Sequence, residues 1–311
     1  MTTIGVDLGG TKVFAVRAGS DGAVMAEAKA KTPVQGGPMA VVDAIVKAVA
    51  ELGGAGGGDD ELPVGVGAPG VVDVERGIVH AAPNLPGWTE PFGLGAALSE
   101  ALGTRVVVDN DVNVGTLAEH RLGAGQGASN MLGVFVGTGV GGGLVLDGAL
   151  RRGPTGMTGE IGHVVFRPHG RVCGCGGRGH VEAYAGRAGM ERRARELEAK
   201  GHDTVLTELA KAKRMTSSVW AKALAAGDRV AIELLDEGVA ALGQAIGGAV
   251  TLLDVDLVVV GGGLADRLGS SYVARVGQAA RAQVFAGHRV EVVPAKLGDR
   301  AGALGASLLV T

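Results

Sequence analysis

The sequence has only two cysteines in 311 residues. It therefore has no disulfide framework and reads as a protein of a reducing compartment. Its formal net charge is only −3, which gives no electrostatic footprint for nucleic acid. It also lacks a long unbroken apolar run. The most apolar stretch, residues 245–265, is interrupted by Asp254, Asp256 and the glycines at 261–263, and so cannot span a bilayer. The opening residues, Met1-Thr2-Thr3-Ile4-Gly5, have neither the basic nor the apolar region of a signal peptide. These absences lead to the expectation of a cytoplasmic protein that meets neither membrane nor nucleic acid. A Walker A loop, G-x-x-x-x-G-K-S/T, is missing as well.

What is present describes a globular chain, 46% hydrophobic and 20% charged. Its length allows a full core and favours two domains. Glycine is the outlier at 57 residues. Part of it forms a spacer loop at residues 53–58. The rest recurs at strand ends, where backbone must approach something closely.

Both cysteines lie in one stretch, Glu160-Ile-Gly-His163 followed by Cys173-Gly-Cys175-Gly-Gly-Arg-Gly-His180-Val-Glu182. His163, Cys173, Cys175 and His180 would complete a tetrahedral zinc set. Three other readings stand beside zinc: a C-x-C disulfide, which would be strained, a pair of inert buried thiols, and a chance cluster. The C-x-C spacing is tighter than that of ordinary zinc motifs.

Glycine-rich turns organise the remainder. Residues 4–8 and 13–16 read as strands around Gly9-Gly10-Thr11-Lys12, with a third strand near Val24. That turn presents N–H groups and a hydroxyl suited to phosphate, or is a plain hairpin. A helical period covers residues 38–52. Gly65, Gly67 and Gly70 spell G-x-G-x-x-G, but a second turn follows rather than a helix, so a Rossmann reading fails. Asn84, between Pro83 and Pro86, offers both a donor and an acceptor but reads first as a turn residue. A strand at 104–108 leads into Asp109-Asn110-Asp111-Val112-Asn113 and a helix to about Leu122. An EF-hand is excluded there, because Val114 and His120 occupy the required Gly and Glu positions. Asp111 is a helix N-cap or a functional carboxylate.

A second strand–turn–strand unit spans residues 130–146, with Gly137, Thr138 and Gly139 opening its glycine run. It echoes the first unit about 130 residues on. Two related half-domains facing each other across a cleft, with the glycine turns forming a nucleotide clamp, are the expectation. Helical periods follow at 187–200, 205–213, 217–226 and 228–253, with Ser217 and Asp228 as N-caps. Lys211, Lys213 and Arg214 read as a solvated face. The strand at 256–260 enters Gly261-Gly262-Gly263, and a strand at 289–293 and a closing helix at 301–310 complete the chain.

The cysteine stretch resembles the signature of the ROK family of sugar kinases and sugar-responsive repressors, ExGH followed by CxCGxxGCxE. Glu160, His163, Cys173, Cys175 and Glu182 match it in register, and His180 stands where the family has a third cysteine. Asp7-Leu-Gly9-Gly10-Thr11-Lys12 resembles the first phosphate loop of the actin/hexokinase superfamily. Residues 109–113 resemble the family's ENDxN motif, with Asp109 in place of glutamate. The resemblance implies an α/β, two-domain, actin-like (ribonuclease H-like) fold with a nucleotide and sugar cleft. Its smaller domain would span 1–118, rejoined by 299–311, and its larger domain 119–298.

It further implies an ATP-dependent kinase acting on a hexose 6-hydroxyl, glucose first, with fructose, mannose or N-acetylmannosamine as alternative acceptors. Asp111 would be the catalytic base, and Gly67, Asn84, Asn110, Glu160, His163 and Glu182 would face the sugar. ATP would meet Asp7, Gly9, Gly10, Thr11, Lys12, Gly137, Thr138, Gly139, Gly261, Gly262 and Gly263, with Mg²⁺ beside Asp7. Zinc on His163, Cys173, Cys175 and His180 would be structural. A homodimer or homotetramer is implied too. A repressor of the same family would carry a winged helix-turn-helix, whereas only three residues precede Ile4. A silent sugar-binding protein is disfavoured by Asp111 and the intact glycine loops.

Overall fold

The computed structural model describes residues 1–311 except 54–61, 83, 84, 86 and 288. Asn84 therefore lies outside the described residues. The first half runs β1 (Thr2–Leu8), β2 (Lys12–Gly19), β3 (Val24–Lys31), α1 (Gly37–Glu51), β4 (Val64–Ala68), the ribbon β5 (Val71–Asp73) and β6 (Ile78–Ala81), α2 (Leu94–Leu102), β7 (Val106–Asn110) and α3 (Asp111–Leu122). Its sheet has the order β3-β2-β1-β4-β7. The second half runs β8 (Met131–Val136), β9 (Val140–Leu146), β10 (Ala149–Arg151), α4 (Glu182–Ala185), α5 (Arg187–Glu198), α6 (Leu206–Ala210), α7 (Ser217–Ala225), α8 (Arg229–Leu253), β11 (Leu257–Gly261), α9 (Ala265–Leu268), α10 (Ser270–Arg281) and β12 (Glu291–Pro294). The chain closes with α11 (Ala301–Ser307).

The second sheet, β10-β9-β8-β11-β12, repeats the first strand for strand. In each, an antiparallel hairpin opens the unit and two parallel strands extend it on the other side. The echo between the two glycine turns is thus a duplicated sheet, as the ribonuclease H-like expectation requires. Apolar strands of this kind are buried on both faces. The first sheet packs on α1 and α2 through residues such as Ile4, Leu8, Ile45 and Leu98, and the second on α8 through Val258, Leu242 and Ile246.

α11 returns to the first sheet and lies against β1, β4 and α3 with no side-chain layer between. A Cβ on Gly5 would overlap the Ala303 carbonyl, one on Gly65 the Ala306 carbonyl, and one on Gly305 the Val114 carbonyl. Register then brings the chemistry together. Asp7 pairs with Gly67 and Gly67 with Asp109, so three neighbouring strands place these residues at one edge. Ligands of α/β sheets bind at such carboxyl ends of strands.

Boundaries differ from the sequence expectation by a few residues at several elements, and four of these differences have a plain physical reason. β7 extends through Asn110, so Asp109 belongs to the strand. β9 starts at Val140, inside the glycine run, because the antiparallel pairing with β8 carries through it. α6 ends at Ala210, since Lys211 and Ala212 adopt left-handed backbone (φ 48° and 60°). α7 is capped by Thr216, whose side chain accepts from Val219 N–H, rather than by Ser217. Asp228 caps α8 as expected, accepting from Ala231 N–H. Among the described residues, no helix is long and apolar enough to cross a membrane.

Candidate active site

The site is built outward from the start of α3. Asn110 caps that helix: its Oδ1 accepts the N–H of Val112 at 2.9 Å and of Asn113 at 3.1 Å. Its Nδ2 donates to the Gly70 carbonyl at 3.0 Å, tying the cap to the turn after β4. Asp109, fully buried, accepts from Asn113 Nδ2 at 3.2 Å and from Arg152 Nε at 2.7 Å. A buried carboxylate needs such partners. Asn110 is the cap and Asp111 the first helical residue, whose Oδ1 shares the Val112 N–H at 2.9 Å.

Asp111 looks into a cavity of about 230 Å³ shared with Asp7, Lys12, Gly262, Gly263 and Asp299. Burial pushes its carboxyl up to about 7, and the nearby charges of Asp7 and, more weakly, Glu160 push the same way against the Val112 N–H bond. Asp7 is pushed up to about 6 by burial, with Lys12 opposing and Asp299 adding. Lys12 Nζ pairs with Asp299 at 2.9 Å. Two carboxylates whose proton affinities are both raised mark a site short of positive charge. Such perturbed pairs in a cleft point to function.

Of the three glycine turns, the first lends Lys12 and the third Gly262 and Gly263 to the lining of this cavity, whereas residues 137–139 do not line it. In the first, Gly9 N–H donates to the Lys12 carbonyl at 2.9 Å, and Thr32 Oγ1 donates to the Gly9 carbonyl at 2.6 Å. In the second, Gly137 N–H donates to the Gly139 carbonyl at 2.9 Å, and Arg187 donates to Thr138 Oγ1 at 3.0 Å. The third follows β11, where Gly262 has φ 90° and its backbone lies against Val136. A side chain there would be strained by conformation and blocked by space. Gly10, Thr11 and Gly263 are exposed, and the Thr11 carbonyl accepts the Thr32 N–H at 3.2 Å.

The His/Cys stretch folds into one cluster. Ligand atoms of His163, Cys173, Cys175 and His180 all lie within 4.8 Å of one another. Cys175 Sγ is 3.2 Å from His180 Nδ1, and Cys173 Sγ is 3.9 Å from His163 Nδ1. Both cysteines are free, which sets the disulfide reading aside. Glu182 joins this cluster to the second glycine turn: Oε1 accepts from Cys173 Sγ at 3.4 Å and Oε2 from Val140 N–H at 3.0 Å. Glu160 Oε2 lies 3.8 Å from His163 Nε2.

The structure thus gathers Asp7, Lys12, Asp111, Gly262 and Gly263 in one cavity and Glu160, His163 and Glu182 around the His/Cys cluster. Gly67 makes room for the first turn of α3, because a Cβ there would strike Val114. The sequence reading missed Asp299, Asp266, Gly302 and Arg187. Asp299 and Asp266 line the cavity, Gly302 leaves space for the Asp7 carboxyl, and Arg187 braces Thr138. No local motif surrounds any of them. The only signal was that the segment before the closing helix had to return to the first sheet.

Paired ribonuclease H-like sheets with glycine turns and two carboxylates between them define the actin-like class of sugar kinases. The chain belongs to the ROK family, whose pattern matches residues 3–311. It is 34% identical over 311 residues to a glucokinase of Thermotoga maritima, covering 99% of this chain and 96% of that one. It is 32% identical over 310 residues to an N-acetylmannosamine kinase of Escherichia coli, covering 99% and 98%. A ROK glucokinase of Streptomyces griseus, crystallised with glucose and AMPPNP, shares the fold at TM-score 0.83 and 34% identity, covering 100% of this chain and 99% of that one.

An acid whose native pKa lies above its unfolded value of 3.8 costs stability as pH rises between the two, fully so above about 7. Asp111→Asn, which keeps an oxygen for Val112 N–H, should raise the melting temperature of the ligand-free protein. The gain should be largest at about pH 8 in magnesium-free buffer and shrink toward about pH 5. Thermal melts at both values check this. A gain independent of pH contradicts the burial account.

Proposed function

We propose that the protein transfers the γ-phosphoryl group of ATP to the 6-hydroxyl of a hexose, with glucose as the principal acceptor. The observation that carries this reading is Asp111, set at a helix start opposite glycine turns and held near neutrality by burial. A general base works best with its pKa near the operating pH. Asp111 takes the proton of the sugar 6-hydroxyl as that oxygen bonds to the γ-phosphorus and the bond to the leaving ADP oxygen breaks. The turns at residues 9–12 and 137–139 present N–H groups to phosphate, Lys12 adds a cation, and the 261–263 turn lies beside the adenosine. Positioning and electrostatics then supply most of the acceleration.

Magnesium fits the site, because Asp7 and Asp111 share a cavity whose negative charge is incompletely compensated. Asp7 would hold it, and bound with ATP it would neutralise charge on the phosphate oxygens. Asn84, Asn110, Glu160, His163 and Glu182, with the backbone at Gly67, orient the sugar. Asn110 retains one N–H for this after capping α3, and Glu182 also braces the second turn.

Zinc fits the cluster: the separations of 3.2 and 3.9 Å resemble edges of a tetrahedron with bonds of about 2.0–2.3 Å. Held by His163, Cys173, Cys175 and His180, it would fix the loop that carries His163 and lead into Glu182, without entering the chemistry. Burial pushes the Cys173 thiol up to about 12 when no cation is present, so metal binding would release its proton.

The halves divide at residues 118/119, within α3, and 298/299, within the turn before α11, and close on bound substrate to exclude water. An N-acetylated acceptor is the second reading, favoured by the N-acetylmannosamine kinase relative. A cytoplasmic homodimer or homotetramer is supported by the free cysteines and by the exposed apolar face of Val164, Val165 and Leu252.

Asp111→Asn should lower kcat by about 10²–10⁴-fold while glucose still binds, read by coupled ADP release and calorimetry. Near-parental turnover removes Asp111 from the role. For the cluster, elemental analysis should give about one zinc per chain, and His180→Ala should lose both zinc and thermal stability. A zinc-free, fully active parent refutes the metal site.

A further inference from the structure

Two stretches of chain adjoin the proposed divisions between the halves: the end of α3 with the turn after it, and residues 295–297, which lead from β12 to the division at 298/299 before α11. One carboxylate grips both. Glu119, on α3, is fully buried. Its oxygens accept the N–H of Lys296 at 3.0 and 3.1 Å, of Leu297 at 2.8 Å and of Ala124 at 2.9 Å. Its carbonyl oxygen accepts the N–H of Gly123 at 3.1 Å and of Gly125 at 2.8 Å. Backbone donors from both crossings therefore converge on a single residue. Bonds from N–H to an ionised carboxylate are roughly twice as strong as neutral ones.

The gripped segment also forms one wall of the phosphate cavity. Ala295, Gly298 and Asp299 line it together with Asp7 and Asp111, and Asp299 pairs with Lys12 of the first turn. Glu119 lies one helical turn from the C-terminus of α3, whose N-terminus carries Asp111. A single residue thus relates the helix that holds Asp111, the return crossing and the wall facing the first phosphate turn.

We propose that Glu119 is the hinge clamp of the enzyme, a positioning residue that locks the two interdomain crossings together. Closure on sugar and nucleotide is then a rotation about this point, which brings the second and third glycine turns onto Asp111 in a fixed register. The carboxylate is required rather than a mere polar group. Its two oxygens face N–H donors only, and a carboxamide would turn an NH₂ group toward at least one of them. This inference rests on the sugar-kinase reading above, since closure matters only to an enzyme that must exclude water from its site.

The test compares the full-length parent with Glu119→Gln, using small-angle scattering with and without glucose and a non-hydrolysable ATP analogue, alongside steady-state kinetics. The parent should contract when both ligands are added. Glu119→Gln should contract less, lose about tenfold or more in kcat, and show KM values for glucose and ATP that rise together. A variant that only melts earlier, with full contraction and kcat within about twofold, overturns the clamp and leaves a structural role.

Hydrogen exchange on the parent supplies a second reading that needs no folded variant. The Lys296 and Leu297 amides should be protected without ligands and keep that protection with them, as a pivot requires. Fast exchange of these amides in the ligand-free protein overturns the proposal. A parent that turns over glucose without contracting overturns the clamp alone, whereas a parent with no turnover on any hexose also removes the kinase reading.

Discussion

Backbone lies directly on backbone where α11 meets α3, β1 and β4, and the rest of the site depends on that contact. Gly305 sits against the Val114 carbonyl, and Gly5 and Gly65 sit against the carbonyls of α11. Interiors are close-packed, and a methyl group forced between such surfaces shifts whatever they carry. Here they carry Asp7 at the end of β1 and Asp111 at the start of α3. Gly302 in the same helix leaves space for the Asp7 carboxyl itself. The separation of the two carboxylates is therefore set by Gly5 beside Asp7 and by Gly65, Gly302 and Gly305, well away in sequence from both.

That geometry has an electrostatic consequence. Asp7 and Asp111 share one cavity largely out of water, so burial raises the proton affinity of both, and the charge of Asp7 raises that of Asp111 further. The ligand-free site holds an unfavourable arrangement of charge, which a cation held by Asp7, as proposed above, would relieve. Preorganised charge of this kind is how phosphoryl transfer is promoted with little covalent chemistry by the protein. Around it, Asp109 with Arg152 and Asn113 fixes the strand end, and Asn110 fixes the helix start. Asp111 is left with few conformations to choose among.

The sequence was most legible where the chemistry is local. The glycine turns at 9–12, 137–139 and 261–263 announce themselves because apolar strands flank them, and the His/Cys cluster because its ligands lie within one short stretch. The repeated strand–turn–strand unit predicted the duplicated sheets. Contacts between distant segments were not legible. Lys12 meets Asp299 across 287 positions, and Glu119 meets Lys296 across 177. Asp299 has no neighbours in sequence that mark it as part of a site. Glu119 reads as an ordinary charged residue, and Asp109 as a motif position without a role, until burial shows that each gathers donors from several elements. Whether Asp111 caps α3 was left open for a similar reason: Asn110 and Asp111 are equally good caps by residue type, and the extension of β7 through Asn110 makes Asn110 the cap.

The central claim is that Asp111 and the three glycine turns form one hexose-phosphorylating site. Coupled ADP release with ATP and Mg²⁺, run in parallel on glucose, mannose, fructose and N-acetylmannosamine, tests it most directly. The account predicts turnover of glucose well above the other three sugars. Sugar binding without ADP release on any of the four would contradict it and leave a protein that holds a hexose without phosphorylating it.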